Sequence, residues 1–193
     1  MSQSALEAPQ HAAQAEQVLF QGQTLRLREL RASDRARIEA LLAHATRTDL
    51  QMRFFAPFKR VPPALLDQLM RVDPAERLTV AAVREHGADS EAGEILGVAR
   101  AHRTVAGNAE AALLVRSDLK GAGLGSLLLG RLIARCRDWG VSRISAEVLP
   151  HNGRMLNLAK KYGFRCQNPH EDPCQLVLDI TQTTDAQSTA HDG

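Results

Sequence analysis

Three glycines at alternate positions, Gly121, Gly123 and Gly125, divide two apolar stretches in "EAALLVRSDLKGAGLGSLLLGRLIARCRDWG". The run from Glu110 to Arg116 reads as a strand of the kind buried on both faces. Beyond the glycines, Leu124, Leu128, Leu132, Ile133, Cys136 and Trp139 recur at helical spacing, and Gly140 is placed to end that helix. A buried strand, a glycine turn and a long helix in succession restrict the chain to α/β architectures. The same segment poses the functional question. Glycines at a helix start either make an ordinary turn or let backbone N–H groups and the helix dipole hold a phosphate.

The flanking sequence fills out one domain. "VLFQGQTLRLREL" reads as a hairpin with Leu25, Leu27 and Leu30 on its apolar side. Within it, Leu19–Gln23 nearly matches a protease site used in expression tags but lacks the proline after the glycine, so a native hairpin is the favoured reading. Ser33 or Asp34 can cap a helix whose buried stripe is Ile38, Leu41 and Leu42. A short second helix, a loop broken by Pro57 and Pro62–Pro63, and a third helix over Ala64–Arg71 follow. "RLTVAAVRE" and "GEILGVARAHRT" read as strands around a polar connection. After the long helix come a strand "RISAEVL", a helix "GRMLNLAKKYGF" stopped by Gly163, and a strand "CQLVLDI". With no repeat and no interior linker, residues 18–180 form one expected domain. Residues 1–17 and 181–193 read as disordered tails.

Composition narrows the function. A net charge of +2 over 193 residues argues against a dedicated nucleic-acid surface. No apolar run reaches the roughly 18 residues of a membrane span, and the N-terminus lacks the features of a signal peptide. A soluble cytoplasmic protein is the expectation. Cys136 falls on the apolar helical face and reads as core. Cys166 and Cys174 flank "QNPHEDP" and are expected as free thiols across a hairpin. With His170 they supply three ligands and no identifiable fourth, so no metal is expected.

Three kinds of phosphate loop compete for the glycines. A Gly-x-x-x-x-Gly-Lys-Ser/Thr loop fails, because Lys120 precedes the glycines and no lysine follows them. A dinucleotide turn fits poorly: Ser126 stands at the third glycine position and "RSDLK" separates strand from loop. Glu147 at roughly the ribose-binding spacing is weak support. The third pattern is Gln/Arg-x-x-Gly-x-Gly/Ala, and "KGAGLG" resembles it with Lys120 in first place. "NGRMLNLAKKYGF", Asn152 to Phe164, follows at the distance seen in the GNAT N-acetyltransferase superfamily, which the chain resembles over roughly residues 18–180. "EAALLVRSDLKGAGLG", "EVLPHNGRMLNLAKKYGF" and "QMRFF" look like the acetyltransferase domain of bacterial Pat-type protein lysine acetyltransferases.

That resemblance implies a mixed, mostly antiparallel twisted sheet flanked by helices, with strands splayed where coenzyme A enters. It implies an acetyl-CoA-dependent acetyltransferase without a metal, acting on a primary amine, with a protein lysine ε-amine favoured. A small amine as acceptor, or a non-catalytic acyl-CoA sensor, are the alternatives. By position Glu110 matches the general base, although it also reads as a solvated strand end; Glu147 is the second choice. The resemblance puts the main chain of Leu113 and Val115 against the pantetheine arm. It puts Lys120, Gly121, Ala122, Gly123, Leu124, Gly125 and Ser126 around the pyrophosphate. Asn152 is expected to bond a pantetheine amide, or else to cap a helix. Ala159 stands where many relatives have a thiolate-protonating tyrosine, and Tyr162 reads as core, so no general acid is named. Arg53, Phe54 and Phe55 read as acceptor pocket or as a hydrophobic anchor. The chain is expected as a monomer or homodimer.

Overall fold

A computed structural model describes residues 15–85, 93–105 and 107–180. Strands β1 (Glu16–Phe20) and β2 (Gln23–Arg28) pair antiparallel across the two-residue turn Gln21–Gly22, with Val18 opposite Leu25. Alternation sends Leu25 and Leu27 into one core cluster, whereas Leu30, expected on the same side, lies beyond the end of β2, where alternation no longer holds, and is buried in the cluster on the other face. Strand β1 therefore begins two residues inside the segment read as a tail. Residues 1–14 of that segment and the C-terminal residues 181–193 lie outside the described residues.

Three short helices follow: α1 (Arg35–Ala43), α2 (Arg47–Phe54) and α3 (Pro63–Met70). Pro63 opens α3 at a position where its missing N–H costs nothing. Asp34 directly precedes α1, but its carboxylate does not cap that helix. It is fully buried and accepts two bonds from Arg28 at 2.6 and 2.8 Å, one from Arg37 at 2.7 Å and one from the Arg31 N–H at 2.8 Å. Burial pushes the Asp34 carboxyl up, and these donors outweigh burial, holding it below its ordinary value.

The remaining strands are β3 (Arg77–Arg84), β4 (Glu94–Arg103), β5 (Asn108–Val115), β6 (Arg143–Val148), β7 (Arg165–Cys166) and β8 (Cys174–Asp179). Helix α4 (Leu124–Asp138) lies between β5 and β6, and α5 (Gly153–Lys161) between β6 and β7. Among the described residues the strands form one eight-stranded sheet in the order β1-β2-β3-β4-β5-β6-β8-β7. Only β5 and β6 run parallel, as a connection through a helix permits.

The sheet is covered on both faces. Alternation in β3 sends Leu78, Val80 and Ala82 to one face, where α4 contributes Leu124, Leu128, Leu129, Leu132, Ile133 and Cys136. Ala81 and Val83 face the other side, with Ile38, Leu41, Leu42, Leu50 and Leu66 of α1–α3. Gly97 of β4 lets α4 approach closely: a Cβ there would lie 2.9 Å from Leu128 Cδ1. At the far edge, the hairpin that joins β7 to β8 brings Cys166 and Cys174 to a Cα separation of 6.5 Å, and the two form a disulfide. The expected hairpin is present, but its cysteines are not free thiols. A Cα separation within bridging range makes the bond accessible, and composition alone could not reveal that. Cys136 is free and buried.

Candidate active site

Strands β5 and β6 pair over three residues only, from Asn108 opposite Arg143 to Glu110 opposite Ser145. Beyond that point β5 stays on β4 through Val115, while β6 follows β8 through Val148. The two strands therefore diverge, and the wedge between them opens into a cavity of about 950 Å³. Its existence explains a detail of burial. The run "AALLV" reads as buried on both faces, yet Ala112, Leu113 and Leu114 are only half-buried because they line this cavity.

Backbone direction along β5 is settled by its neighbours. The Asn108 carbonyl accepts from Thr104 N–H, and Arg116 N–H donates to the Leu96 carbonyl, so even-numbered residues aim their polar groups at β4. Ala111, Leu113 and Val115 consequently aim theirs into the wedge. Glu110 is exposed at the apex, where pairing stops, and lines the cavity. Register in β5 is regular from Val115 to Ala109, so no bulge re-aims Glu110. Glu147 of β6 is exposed on the opposite wall.

The glycine loop borders the same cavity. Gly121 and Gly123 have φ of +84° and +96°, a region that excludes most side chains, and a Cβ added to either would meet nothing within 4 Å. Gly123 is the residue before the first turn of α4, whose N–H groups have no partners within the helix. Gly125 differs: it has ordinary helical geometry and packs against Leu113 and Leu158. Lys120, Gly121, Gly123, Gly125 and Ser126 belong to the wall, whereas Ala122 and Leu124 do not, Leu124 being wholly buried in the core.

Lys120 is not a free charge. Its ammonium bonds the Asp49 carboxylate of α2, which also accepts from the Ser117 hydroxyl. Ser117 Oγ in turn accepts from Thr46 N–H at 2.9 Å. Burial raises the Asp49 carboxyl, and donation from Lys120 and Ser117 outweighs it, holding the group below its ordinary value. This clamp ties α2 to the glycine loop.

Asn152 lines the cavity while its Oδ1 accepts from Met155 N–H at 3.2 Å, capping α5. The two readings of this residue are compatible, because the amide NH₂ remains a donor on the same side chain. Ala159 is buried. Tyr162 is half-buried beside Gly130 and donates to the Ser126 carbonyl at 2.5 Å, which braces α5 against the start of α4.

The end of α2 supplies the remaining wall. Phe54 packs into the α1–α3 cluster, with its ring edge-on to Phe58 at 6.1 Å. Phe55, left-handed at φ 57° and 43% exposed, borders the cavity instead. Arg53 lines it too, with its guanidinium 4.8 Å from the Phe54 ring. Burial pushes the Arg53 guanidinium down to about 10, against the opposing charge of Glu110.

Residues 43–164 match the family model described as "Acetyltransferase (GNAT) family". The chain belongs to that family. It is 31% identical over 161 residues to an acetyltransferase of Pseudomonas aeruginosa, a match covering 82% of this chain and 84% of that one. It is 34% identical over 113 residues to the acetyltransferase Pat of Mycolicibacterium smegmatis, covering 58% of this chain but only 32% of that longer protein. Among solved structures, the GNAT domain of S. lividans PAT superposes with a TM-score of 0.77 at 29% identity, covering 90% of this chain and all of that domain.

Some residues of this acetyltransferase site give no signal in the sequence. Asp49 and Ser117 lie 68 residues apart, and neither stands in a recognisable motif. Arg100 reads as one polar residue in an apolar strand, yet it reaches a small cavity of about 30 Å³ behind Arg53. The β4–β5 register puts it on the same face as Glu110, and the folded α2 brings Arg53 to the same cavity.

Proposed function

We propose that this acetyltransferase transfers the acetyl group of acetyl-CoA to a primary amine, a protein lysine ε-amine, with Glu110 as general base. The observation that carries the reading is the position of Glu110. It is a carboxylate at the apex of a wedge whose sides are a free strand edge and a glycine loop at a helix N-terminus. The unpaired groups of Leu113 and Val115 can bond an extended amide chain as another strand would. The N–H groups at Gly123 and the start of α4 suit a diphosphate. Bound acetyl-CoA would supply the thioester carbonyl that the amine attacks. A protonated amine cannot attack, and the Glu110 carboxylate is the acceptor for its proton. Asn152 can donate to a pantetheine carbonyl while it caps α5. The lysine acceptor is supported by the likeness to Pat-type domains.

The test is steady-state transfer to lysine peptides at about pH 8 by wild type and Glu110→Gln. A base contributes roughly 10²–10⁴-fold, so kcat should fall by about a hundredfold or more while acetyl-CoA affinity, measured by calorimetry, hardly changes. Equal turnover in the two proteins would remove Glu110 as the base. If neither protein turned over but both bound acetyl-CoA, the acceptor assignment would be the part that fails.

A further inference from the structure

Arg53 and Arg100 line one small cavity beside the site. Arg100 of β4 lies opposite Ala112, two residues along from Glu110 on the same sheet face. Its Nη2 is buried and, among the described residues, has no hydrogen-bond partner. The small cavity that both arginines line is otherwise apolar, bordered by Leu30, Leu41, Phe54, Leu69, Val98 and their neighbours. Arg53, Ala112 and Leu114 line both this cavity and the large one, so the small space opens off the acceptor side of the site. Burial pushes the Arg100 guanidinium down to about 10, and the charges of Arg53 and Arg77 push the same way. Arg77 already donates to the Gln68 carbonyl at 3.2 Å.

Arg53 feels the charge of the Glu110 carboxylate, whereas Arg100 is set against the like charges of Arg53 and Arg77, and the Glu110 carboxylate becomes neutral whenever it takes a proton from the amine. A buried cation without a partner is costly, and a buried N–H donor left unpaired adds to that cost. Arginine's planar fork matches a carboxylate, and desolvation strengthens that bond. A volume of about 30 Å³ admits two or three groups the size of water, each needing roughly 10–15 Å³. That suits two carboxylate oxygens and little more. Diagonal neighbours on a sheet face stand roughly 7–8 Å apart, a spacing that suits an amine at Glu110 and an anion at the arginines in one molecule.

Resting on the amine-acetylating reading above, we infer that the acceptor brings a carboxylate close to its amine and that Arg53 and Arg100 receive it. On a protein acceptor this group is the side chain of an acidic residue beside the lysine; on a small acceptor it is a terminal carboxylate.

Two matched pairs of acceptors test this. One pair is a lysine peptide with glutamate or glutamine next to the lysine. The other is Nα-blocked lysine as the free acid or the amide. For at least one pair, the carboxylate member should show kcat/KM roughly tenfold higher, carried by KM, as expected of a charge-assisted bond. In Arg100→Met that ratio should shrink to about twofold or less, with acetyl-CoA affinity checked by calorimetry and folding by thermal melting. Arg53→Met serves as an independent variant should Arg100→Met fail to fold. A preference in the peptide pair assigns an acidic flanking residue, and one in the lysine pair assigns a terminal carboxylate. Equal rates within both pairs, or a preference that both variants retain, would overturn the inference. If nothing is acetylated, the lysine-transfer reading fails and the same molecules are titrated into CoA-saturated protein. Tighter binding of a carboxylate member, lost in the variants, upholds the arginine site; equal or undetectable binding of both members overturns it.

Discussion

Replacing Gly123 with alanine separates backbone geometry from every other property of the glycine loop. Gly123 holds φ at +96°, and a Cβ there would meet nothing within 4 Å. No clash is introduced, so the cost is that of forcing an L-residue into left-handed geometry, roughly 1–2 kcal/mol. The chain can meet that cost in two ways. If its surroundings hold the loop, the strain appears as lost stability, a fall in Tm of roughly 2–8 °C for a chain of this size. If the loop relaxes to negative φ, stability is spared and the N–H groups swing away from their common focus. The same 1–2 kcal/mol then appears as roughly a five- to thirtyfold rise in Kd for acetyl-CoA. Both ends of the loop are anchored, Lys120 by Asp49 and Leu124 by complete burial. The cost is therefore expected to divide between the two readouts, with their sum near 1–2 kcal/mol. Thermal melting without ligand and calorimetric titration with acetyl-CoA measure the two parts. Gly125→Ala is the control for stability: its backbone is ordinary and its added Cβ makes only van der Waals contacts, so Tm should stay close to wild type. A Gly123→Ala protein with unchanged Tm and unchanged affinity would refute the argument.

Two further outcomes concern the fold. Asp34→Ala leaves Arg28, only 6% exposed, as an uncompensated buried charge and should cost about 3–5 kcal/mol in urea unfolding near neutral pH. Because Asp34 titrates below its ordinary value in the folded state, its contribution is complete above about pH 4 and lost as pH falls further. The wild-type and variant curves should converge in acid, and an unchanged gap at about pH 3 would contradict the assignment. Burial pushes the Cys136 thiol up to about 12, so a thiol-reactive disulfide reagent should label nothing in the native protein at about pH 8. Unfolding without reductant should expose the Cys136 thiol alone, and two further thiols should appear only after reduction; more than one before reduction would mean that Cys166 and Cys174 are not bonded.

What is legible in the sequence is whatever rests on local periodicity and spacing. Leu128, Leu132 and Cys136 define α4 through their repeat, and "KGAGLG" marks the loop because glycine spacing is itself a backbone constraint. The two-residue β7 escapes such a reading because so short a strand has no period to detect. The arrangement around Lys120 escapes it for a different reason. A lysine before a phosphate loop looks like a ligand for phosphate, and its partner Asp49 lies 71 residues earlier, on another element. Asp34 looks like a helix cap because capping is a local property, whereas its bonds to Arg28 and Arg37 depend on how β2 and α1 pack. The arginines at the small cavity belong to the same class. Their chemistry arises where α2 crosses the sheet, and no single stretch of chain contains both.

The three-residue ladder between β5 and β6 has a mechanical meaning. Among the described residues it is the one strand pairing that joins strands β1–β5 to strands β6, β8 and β7. A molecule built in this way resembles an arch closed only at its crown, with Glu110 in the crown stone. Whatever enters the wedge and bonds both walls acts as a tie between the two legs. Hydrogen exchange should then slow along Ala111–Val115 and Ala146–Val148 together, on both sides of the opening, as soon as it is filled.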